Sequence, residues 1–305
     1  MLKIIQNRRY WYLLSGFLAA VSIFCIIYFG LNLSVDFRGG TLMVLKFEAS
    51  VNVDDIGQVL DDNQITSVAL QPADNNRVII KSAEINTQKR MAIIEGIKKI
   101  DPAVFEESFQ NIGPTVSNDL TSRSIKAVIF ASLAIIIYLA IAFRGVPRPA
   151  NPWRFGLCAI SALLHDLLIV VGMAAIVGHF FHWLEIDSLF ITALLTILGF
   201  SVHDTIVVFD RLRENLKRNP GANFEALAEE SIAQTLSRSI NTSVTTIFVL
   251  LSLFLLGGSS IKGFVFTLLF GIIIGTYSSI FNATPLLVSW QKFSERRKNR
   301  GVSVK

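Results

Sequence analysis

Charge is scarce in this chain. Only 17% of its 305 residues are Asp, Glu, Lys or Arg, against 52% hydrophobic. A soluble domain clothes its surface with about a quarter charged residues, so a purely soluble enzyme is excluded. Disorder is excluded too, because so much apolar side chain must be buried somewhere. Cysteine is nearly missing. Cys25 and Cys158 both sit in uncharged apolar runs, which excludes a disulfide framework and a cysteine-based zinc site. The four histidines are scattered, and there is no phosphate-binding glycine loop, no HExxH and no nucleophile elbow. Nothing supports an enzyme, and no metal or cofactor is indicated.

Long apolar runs are what the sequence does have. A spanning helix needs about 20 predominantly apolar residues, and six runs qualify: 12–31, 127–143, 155–177, 188–209, 240–256 and 264–290. The first is too long for the apolar part of a signal peptide and no small-residue cleavage signal follows it, so an uncleaved anchor is expected. Orientation follows from the basic residues of the short loops. Arg144, Arg148 and Arg154 lie between runs two and three, and Arg211, Arg213, Lys217 and Arg218 follow run four. The loop after run three has no Lys or Arg, and the loop after run five has only Lys262. Six of the 28 basic residues (Lys292, Arg296, Arg297, Lys298, Arg300 and Lys305) form a tail after Trp290. That tail reads as a cytoplasmic membrane flank rather than a nucleic-acid patch. Both termini are therefore expected in the cytoplasm, with the segment between runs one and two outside.

Four parts follow: a tail and first span (1–32), an outer domain (33–125), a bundle of five further spans (126–290) and a basic tail (291–305). The outer segment alternates strand and helix signals. Strands are expected at 42–47, 67–71, 77–81 and 105–111, and helices at 54–62 and 88–99. Leu42/Val44 and Val78/Ile80 show the two-residue period of a half-buried sheet, and Met91, Ile94 and Lys98, with Ile97 beside them, lie at helical spacing. Asp74-Asn75-Asn76 is a hairpin turn signal. The order β-α-β-β-α-β is the split, ferredoxin-like motif. The fold class is thus an α-helical polytopic membrane protein, six spans with a small ferredoxin-like α+β domain outside. The connection 211–237 reads as a helix hairpin along the membrane, interrupted at Asn219-Pro220-Gly221, with a stripe of Phe224, Leu227, Ile232 and Leu236.

Ionisable groups inside spans are the candidate functional residues, since each costs about 2.5–3.5 kcal/mol at a helix centre. Three qualify: Asp166, Asp204 and Arg238. From the rise per residue, Asp204 and Arg238 lie roughly 9 and 12 Å in from the cytoplasmic edge and Asp166 roughly 18 Å. Asp204 and Arg238 are therefore expected at one level, where they could pair either as a protonation switch or as a static ion pair. Asp166, His165 and His203 can act as interhelical hydrogen-bonding struts or join a polar route with Thr192, Thr196, Ser201 and Thr205. Depth and the neighbouring arginine argue against an aspartyl-protease dyad of Asp166 and Asp204. Gly271 and Gly275 form a small-residue packing pattern.

The run Gly199-Phe200-Ser201-Val202-His203-Asp204-Thr205-Ile206-Val207-Val208-Phe209-Asp210-Arg211 resembles the fourth-span signature of the SecF family, subunits of the bacterial accessory translocase SecDF. Asp36-Phe37-Arg38-Gly39-Gly40-Thr41, Leu236-Ser237-Arg238-Ser239-Ile240-Asn241-Thr242-Ser243 and His165-Asp166 match as well. His203 departs from the asparagine usual there, and it alone of the two titrates near neutral pH. The resemblance implies half of an RND-superfamily transporter in the bacterial inner membrane. Its implied partners are SecD, the SecYEG channel and translocating unfolded polypeptide, with YajC and YidC as further candidates and no nucleic acid. It places Asp204 and Arg238 on the family's proton-relay positions, driven by the proton gradient without a cofactor. Gly39 and Gly40 would form a hinge or a fixed turn where the first span meets the domain. Two other readings remain, a proton-coupled exporter of a small molecule or lipid, and an uncoupled scaffold. The exporter reading requires a sizeable apolar pocket.

Overall fold

The computed structural model describes residues 3–65, 69–73, 75–145, 147, 151–181 and 183–302, the last five by backbone alone. Six helices are long and apolar enough to cross a membrane. The chain is an α-helical multi-pass membrane protein with one small α+β domain.

Helix α1 (Arg8–Phe29) is followed by a single helical turn, α2 (Val35–Arg38), which leads into the domain. There the chain runs β1 (Gly40–Lys46), α3 (Val53–Asp62), β2 (Ala69–Ala73), β3 (Arg77–Ser82), α4 (Thr87–Lys98) and β4 (Phe105–Ile112). The sheet is antiparallel throughout, in the order β2-β3-β1-β4, as the split β-α-β motif requires. Every expected strand and helix is present, with ends shifted by at most two residues. Positions 67, 68 and 74 of the expected strand and turn lie outside the described residues. Asn75 and Asn76, at φ 60° and 55°, turn the chain into β3; asparagine tolerates this left-handed region because its short side chain can hydrogen-bond locally.

One face of the sheet is covered by the two helices. Met43, Leu45, Val78 and Ile80 pack on Ile56, Leu60, Ile93 and Ile97, all buried. The expected stripe on α4 is corrected in part: Ile97 is buried, but Met91 and Lys98 are exposed and Ile93 joins Ile97 in the core. Gly96 explains the rotation. A side chain there would collide with Val59 of α3, so its absence lets the 93–97 face press against the neighbouring helix. The other face of the sheet, carrying Leu42, Val44 and Ile79, is half-buried.

The remaining spans are α5 (Pro114–Ala142), α6 (Pro152–Phe180), α7 (Ser188–Arg218), α8 (Phe224–Leu256) and α9 (Lys262–Ser278). A π-helical turn over Ser279–Ala283 joins α9 to α10 (Thr284–Val302). Helix α5 starts at Pro114, so position 125 lies well inside it. The expected hairpin over 211–237 is present and turns at Asn219-Pro220-Gly221, but its placement along the membrane as a separate element is corrected. The hairpin is made by the ends of α7 and α8 themselves, which run without a break into the spans and turn between Arg218 and Phe224. Buried polar side chains stitch it: Asn215 Nδ2 donates to Ser231 Oγ at 2.8 Å. Phe224, Leu227 and Ile232 of the expected stripe are buried there, with Leu236 packed against them.

The bundle core has two tiers. Near the basic loops Phe143, Phe155, Phe209, Leu212 and Ile232 form one cluster; nearer the sheet Val170, Phe190, Leu194 and Val265 form another. Gly271 and Gly275 set the fit of α9 on α7. A Cβ at Gly271 would enter Ile197, and one at Gly275 would lie 3.1 Å from Ser201 Cβ.

Candidate functional site: two carboxylates within the bundle

Asp166 sits at the seam between the two apolar tiers, 1% exposed. Its Oδ2 accepts two hydroxyl hydrogen bonds at 2.6 Å, from Ser201 of α7 and from Ser278 at the end of α9. Its Oδ1 lies 3.0 Å from His165 Nδ1. Thr205 Oγ1 in turn donates to the Ser201 carbonyl at 3.1 Å. Three spans thus meet on one carboxylate, and Gly275 allows it by keeping the α9 backbone close to Ser201. Ser278 was missed in the sequence because nothing in its spacing links it to Asp166. The π-helical turn beginning at the next residue is the local irregularity often found at functional sites.

Asp204 stands one helical turn beyond Ser201 on α7 and is 2% exposed. Ser239 of α8 faces it, yet among the described residues neither Asp204 Oδ2 nor the Ser239 hydroxyl closes a hydrogen bond. A buried acceptor without a partner is rare enough in native proteins to call for an explanation.

Asp204 and Arg238 do not meet in this structure. No ion pair joins them among the described residues, and the Arg238 side chain is exposed while its neighbour Ser239 is buried. Successive helical residues point about 100° apart, so α8 can turn either Ser239 or Arg238 toward Asp204, not both. Arg238 belongs instead to an exposed polar stripe with Asn241, Thr242 and Thr245 on α8. His203 likewise falls on an exposed stripe of α7 with Thr192 and Thr196. The i, i+3, i+4, i+7 spacing of polar residues was the available signal for the α8 stripe.

The joint between span and domain is tightly made. Gly39 and Gly40 take φ of 76° and 133°, and a side chain at Gly40 would strike the Ser82 carbonyl. Upstream, Ser34 N donates to the Ile186 carbonyl at 3.0 Å and Ile186 N donates to the Asn32 carbonyl at 2.8 Å. Lys81 of β3 forms an ion pair with Glu185 at 2.6 Å. The domain is therefore fastened to the segment that opens α7, the helix carrying Ser201, His203, Asp204 and Thr205.

Comparison with known proteins bears on this arrangement directly. Residues 92–293 match the family model described as protein export membrane protein SecD/SecF, C-terminal, and residues 29–51 match the SecD/SecF GG motif. The chain is 45% identical to the protein translocase subunit SecF of Thermobaculum terrenum, covering 95% of this chain and 94% of that one. It is 40% identical to the SecF subunit of Anaerolinea thermophila, with the same coverage of 95% and 94%. Its structure superposes on the crystal structure of SecDF, a translocon-associated membrane protein from Thermus thermophilus, with a TM-score of 0.83 at 31% identity. That match covers 95% of this chain but 39% of the SecDF chain. The chain belongs to the SecF family of protein translocase subunits, the SecF part of the SecDF export complex.

Proposed function

We propose that this chain, paired with SecD in the bacterial inner membrane, uses the proton motive force to assist late stages of protein export through SecYEG. Both termini lie in the cytoplasm and the sheet domain outside, as the basic residues of the short loops dictate. The observation that carries the reading is Asp204, a buried carboxylate whose Oδ2 is unpartnered among the described residues, in a chain that leaves a cation, Arg238, on the outer face of the adjacent helix. Polar side chains facing lipid are costly, so the stripes on α7 and α8 call for a polar partner surface, which SecD supplies. Proton uptake at Asp204 changes its pull on Ser239 and Arg238, and a one-step rotation of α8 exchanges which of them faces the carboxylate. One elementary charge crossing 100 mV supplies about 2.3 kcal/mol, enough to bias such a choice. YajC and YidC are further partners on this reading, and no catalysis or cofactor is involved.

The test is secretion of a reporter preprotein in vesicles holding a proton gradient, with the chain intact or carrying Asp204→Asn. Gradient-dependent secretion is expected to be lost while membrane levels stay normal. Secretion that survives the substitution sinks the relay and favours an uncoupled scaffold.

One observation favours the exporter reading. An apolar cavity of about 470 Å³ lies between α1, α8 and α9, lined by Trp11, Ile240, Ile247, Tyr277 and Phe281. No residue of the sheet domain lines it, so it offers no path from the bundle to the outside. Export of polypeptide therefore remains the better reading.

A further inference from the structure

The apolar cavity of about 470 Å³ between α1, α8 and α9 is a groove open to the membrane, since Ile240, Val244 and Ile273 of its lining are exposed. We infer that it binds one anionic phospholipid, with an acyl chain along the groove and the phosphate at Lys3. The inference goes beyond the export reading and does not depend on it.

The length of the groove fits an acyl chain. Its α8 wall runs from Leu236 to Ile247, roughly 16 Å along the helix axis. That is close to one leaflet, half of a hydrocarbon core about 30 Å thick. Below its mouth the groove offers nothing to a polar ligand. The Ser243 and Thr276 hydroxyls bond each other at 2.6 Å, and the Tyr277 hydroxyl donates to the Trp11 carbonyl at 3.3 Å.

The mouth is different. Lys3, Asn7 and Trp11 line the end nearest the basic loops, and tryptophan is a side chain suited to the headgroup level. Glu229 accepts hydrogen bonds from the Ile4 and Ile5 N–H groups at 2.8 and 2.7 Å, and the Ile5 side chain is fully buried. The segment ahead of α1 is therefore clamped beside the groove, which fixes where Lys3 begins. Arg8 and Lys292 are both taken by Glu225, whereas Lys3 makes no ion pair among the described residues. One free cation and no carboxylate line the groove, so the mouth favours a headgroup of net negative charge over a zwitterionic one. The Trp11 indole N–H, buried here, meets no acceptor among the described residues. An ester or phosphate oxygen brought alongside would relieve a donor that is costly to leave unmet.

Position around α8 favours lipid over a SecD helix as the occupant. At 100° per residue, the face of Ile240, Val244 and Ile247 is centred about 140° from the stripe of Arg238, Asn241, Thr242 and Thr245. The groove thus faces away from the surface assigned to SecD. A chain held in it lies between the span that leads to the sheet domain and the span that carries Arg238.

The experiment uses the full chain with SecD, reconstituted in nanodiscs of phosphatidylglycerol and phosphatidylcholine in equal amounts with matched acyl chains. A photoreactive benzophenone side chain replaces Val244, in the groove, or Phe17, exposed on α1 outside it. The lipid in each adduct is identified by mass. The ratio of phosphatidylglycerol to phosphatidylcholine is expected to be about fivefold higher at Val244 than at Phe17, the preference that one lysine confers near a membrane surface. Lys3→Gln, a change at an exposed residue, should bring the two ratios together while Val244 is still labelled. Equal ratios in the parent chain overturn the inference, because the groove then holds ordinary bilayer lipid. A Val244 adduct with SecD in place of lipid overturns it as well, and so does a ratio that Lys3→Gln leaves unmoved. Native mass spectrometry without the probe is a second readout, in which the parent complex should retain one more phosphatidylglycerol than the Lys3→Gln complex; equal retention counts against the site. Asp204→Asn is expected to change neither readout, so the lipid site and the proton relay stand or fall separately.

Discussion

The Asp36 carboxylate accepts hydrogen bonds from both the backbone N–H of Ser188, at 3.0 Å, and its hydroxyl, at 2.6 Å. The linker from span one thus caps the first turn of α7, the helix that carries Asp204 sixteen residues further on, about 24 Å along its axis. A negative side chain at a helix N-terminus is favourable by both hydrogen bonding and dipole. The contact makes the first half of α7 a rod that joins the anchor of the domain to the carboxylate in the bundle.

Removing the anchor should therefore uncouple the two without unfolding either. Asp36→Ala is expected to cost about 1–2 kcal/mol of local stability, the size of a lost N-terminal cap. Hydrogen exchange over residues 33–40 should speed up, and gradient-driven secretion should fall although membrane levels hold. Asp36→Asn keeps an acceptor oxygen and should retain most of the function. If Asp36→Ala secretes as well as the parent chain, motion does not pass through this contact.

Asp166 is predicted to be a strut rather than a relay. All of its described contacts are made: two serine hydroxyls and the adjacent imidazole. Asp166→Asn preserves an oxygen acceptor toward Ser201 and Ser278, and its cost should stay near the 0.6–2 kcal/mol typical of an interhelical hydrogen bond, about one such bond. Asp166→Leu strands the Ser201 hydroxyl and leaves Ser278 only the Gly275 carbonyl at 3.2 Å, and should destabilise the bundle more, read as a lower Tm in detergent. The pairing of outcomes decides the role: loss of secretion in Asp166→Asn with unchanged Tm would make Asp166 part of the proton route.

Asp187 supplies a pH dependence outside the spanning helices. Burial raises its pKa above the ordinary 3.8, opposed by the hydrogen bond from the Phe190 N–H, while the nearby Asp36 charge pushes the same way as burial. For an acid with a raised folded pKa, the folded state binds the proton more tightly than the unfolded one. Its ionisation therefore costs stability, absent below 3.8 and growing as pH rises toward the folded pKa. Asp187→Asn keeps the cap oxygen and removes the titration. The difference in Tm between variant and parent should shift in favour of the variant as pH rises from 4, and a difference that does not vary with pH would refute the assignment.

The split domain was legible in the sequence because period-two strands and amphipathic helices are local patterns. Alternation at Leu42/Val44 and at Val78/Ile80 marked two of the strands, and the β-α-β-β-α-β order then gave the sheet. The spans were equally legible from length and hydropathy. What could not be read was rotation. Met91 and Ile93 are both apolar, and only the close approach of Val59 at Gly96 decides which one α4 buries. Asp204 and Arg238 were expected near one depth, but depth says nothing about which way α8 turns. Ser278 entered the Asp166 cluster through a contact 112 residues apart in sequence, which no local spacing encodes.

That undecided rotation yields the last prediction. Arg238 lies on an exposed face and makes no ion pair among the described residues, so its substitution should leave this chain's own fold intact. Arg238→Met keeps a long apolar stem and should leave the stability of the isolated subunit, read through its Tm, within about 0.5 kcal/mol of the parent, as for surface changes generally. The same variant should weaken co-purification with SecD, because a buried interfacial charge that loses its partner costs several kcal/mol. A structural arginine serving only its own chain would show the reverse, a lower Tm with undiminished co-purification. A third pattern, normal stability and normal assembly with lost secretion, would leave Arg238 outside the interface energetics and assign it to the moving step itself. The exposed stripe of Asn241, Thr242 and Thr245 distinguishes these further. If the stripe is an interface, apolar replacements along it should add to the Arg238→Met defect in assembly, and should have no effect if α8 faces lipid there.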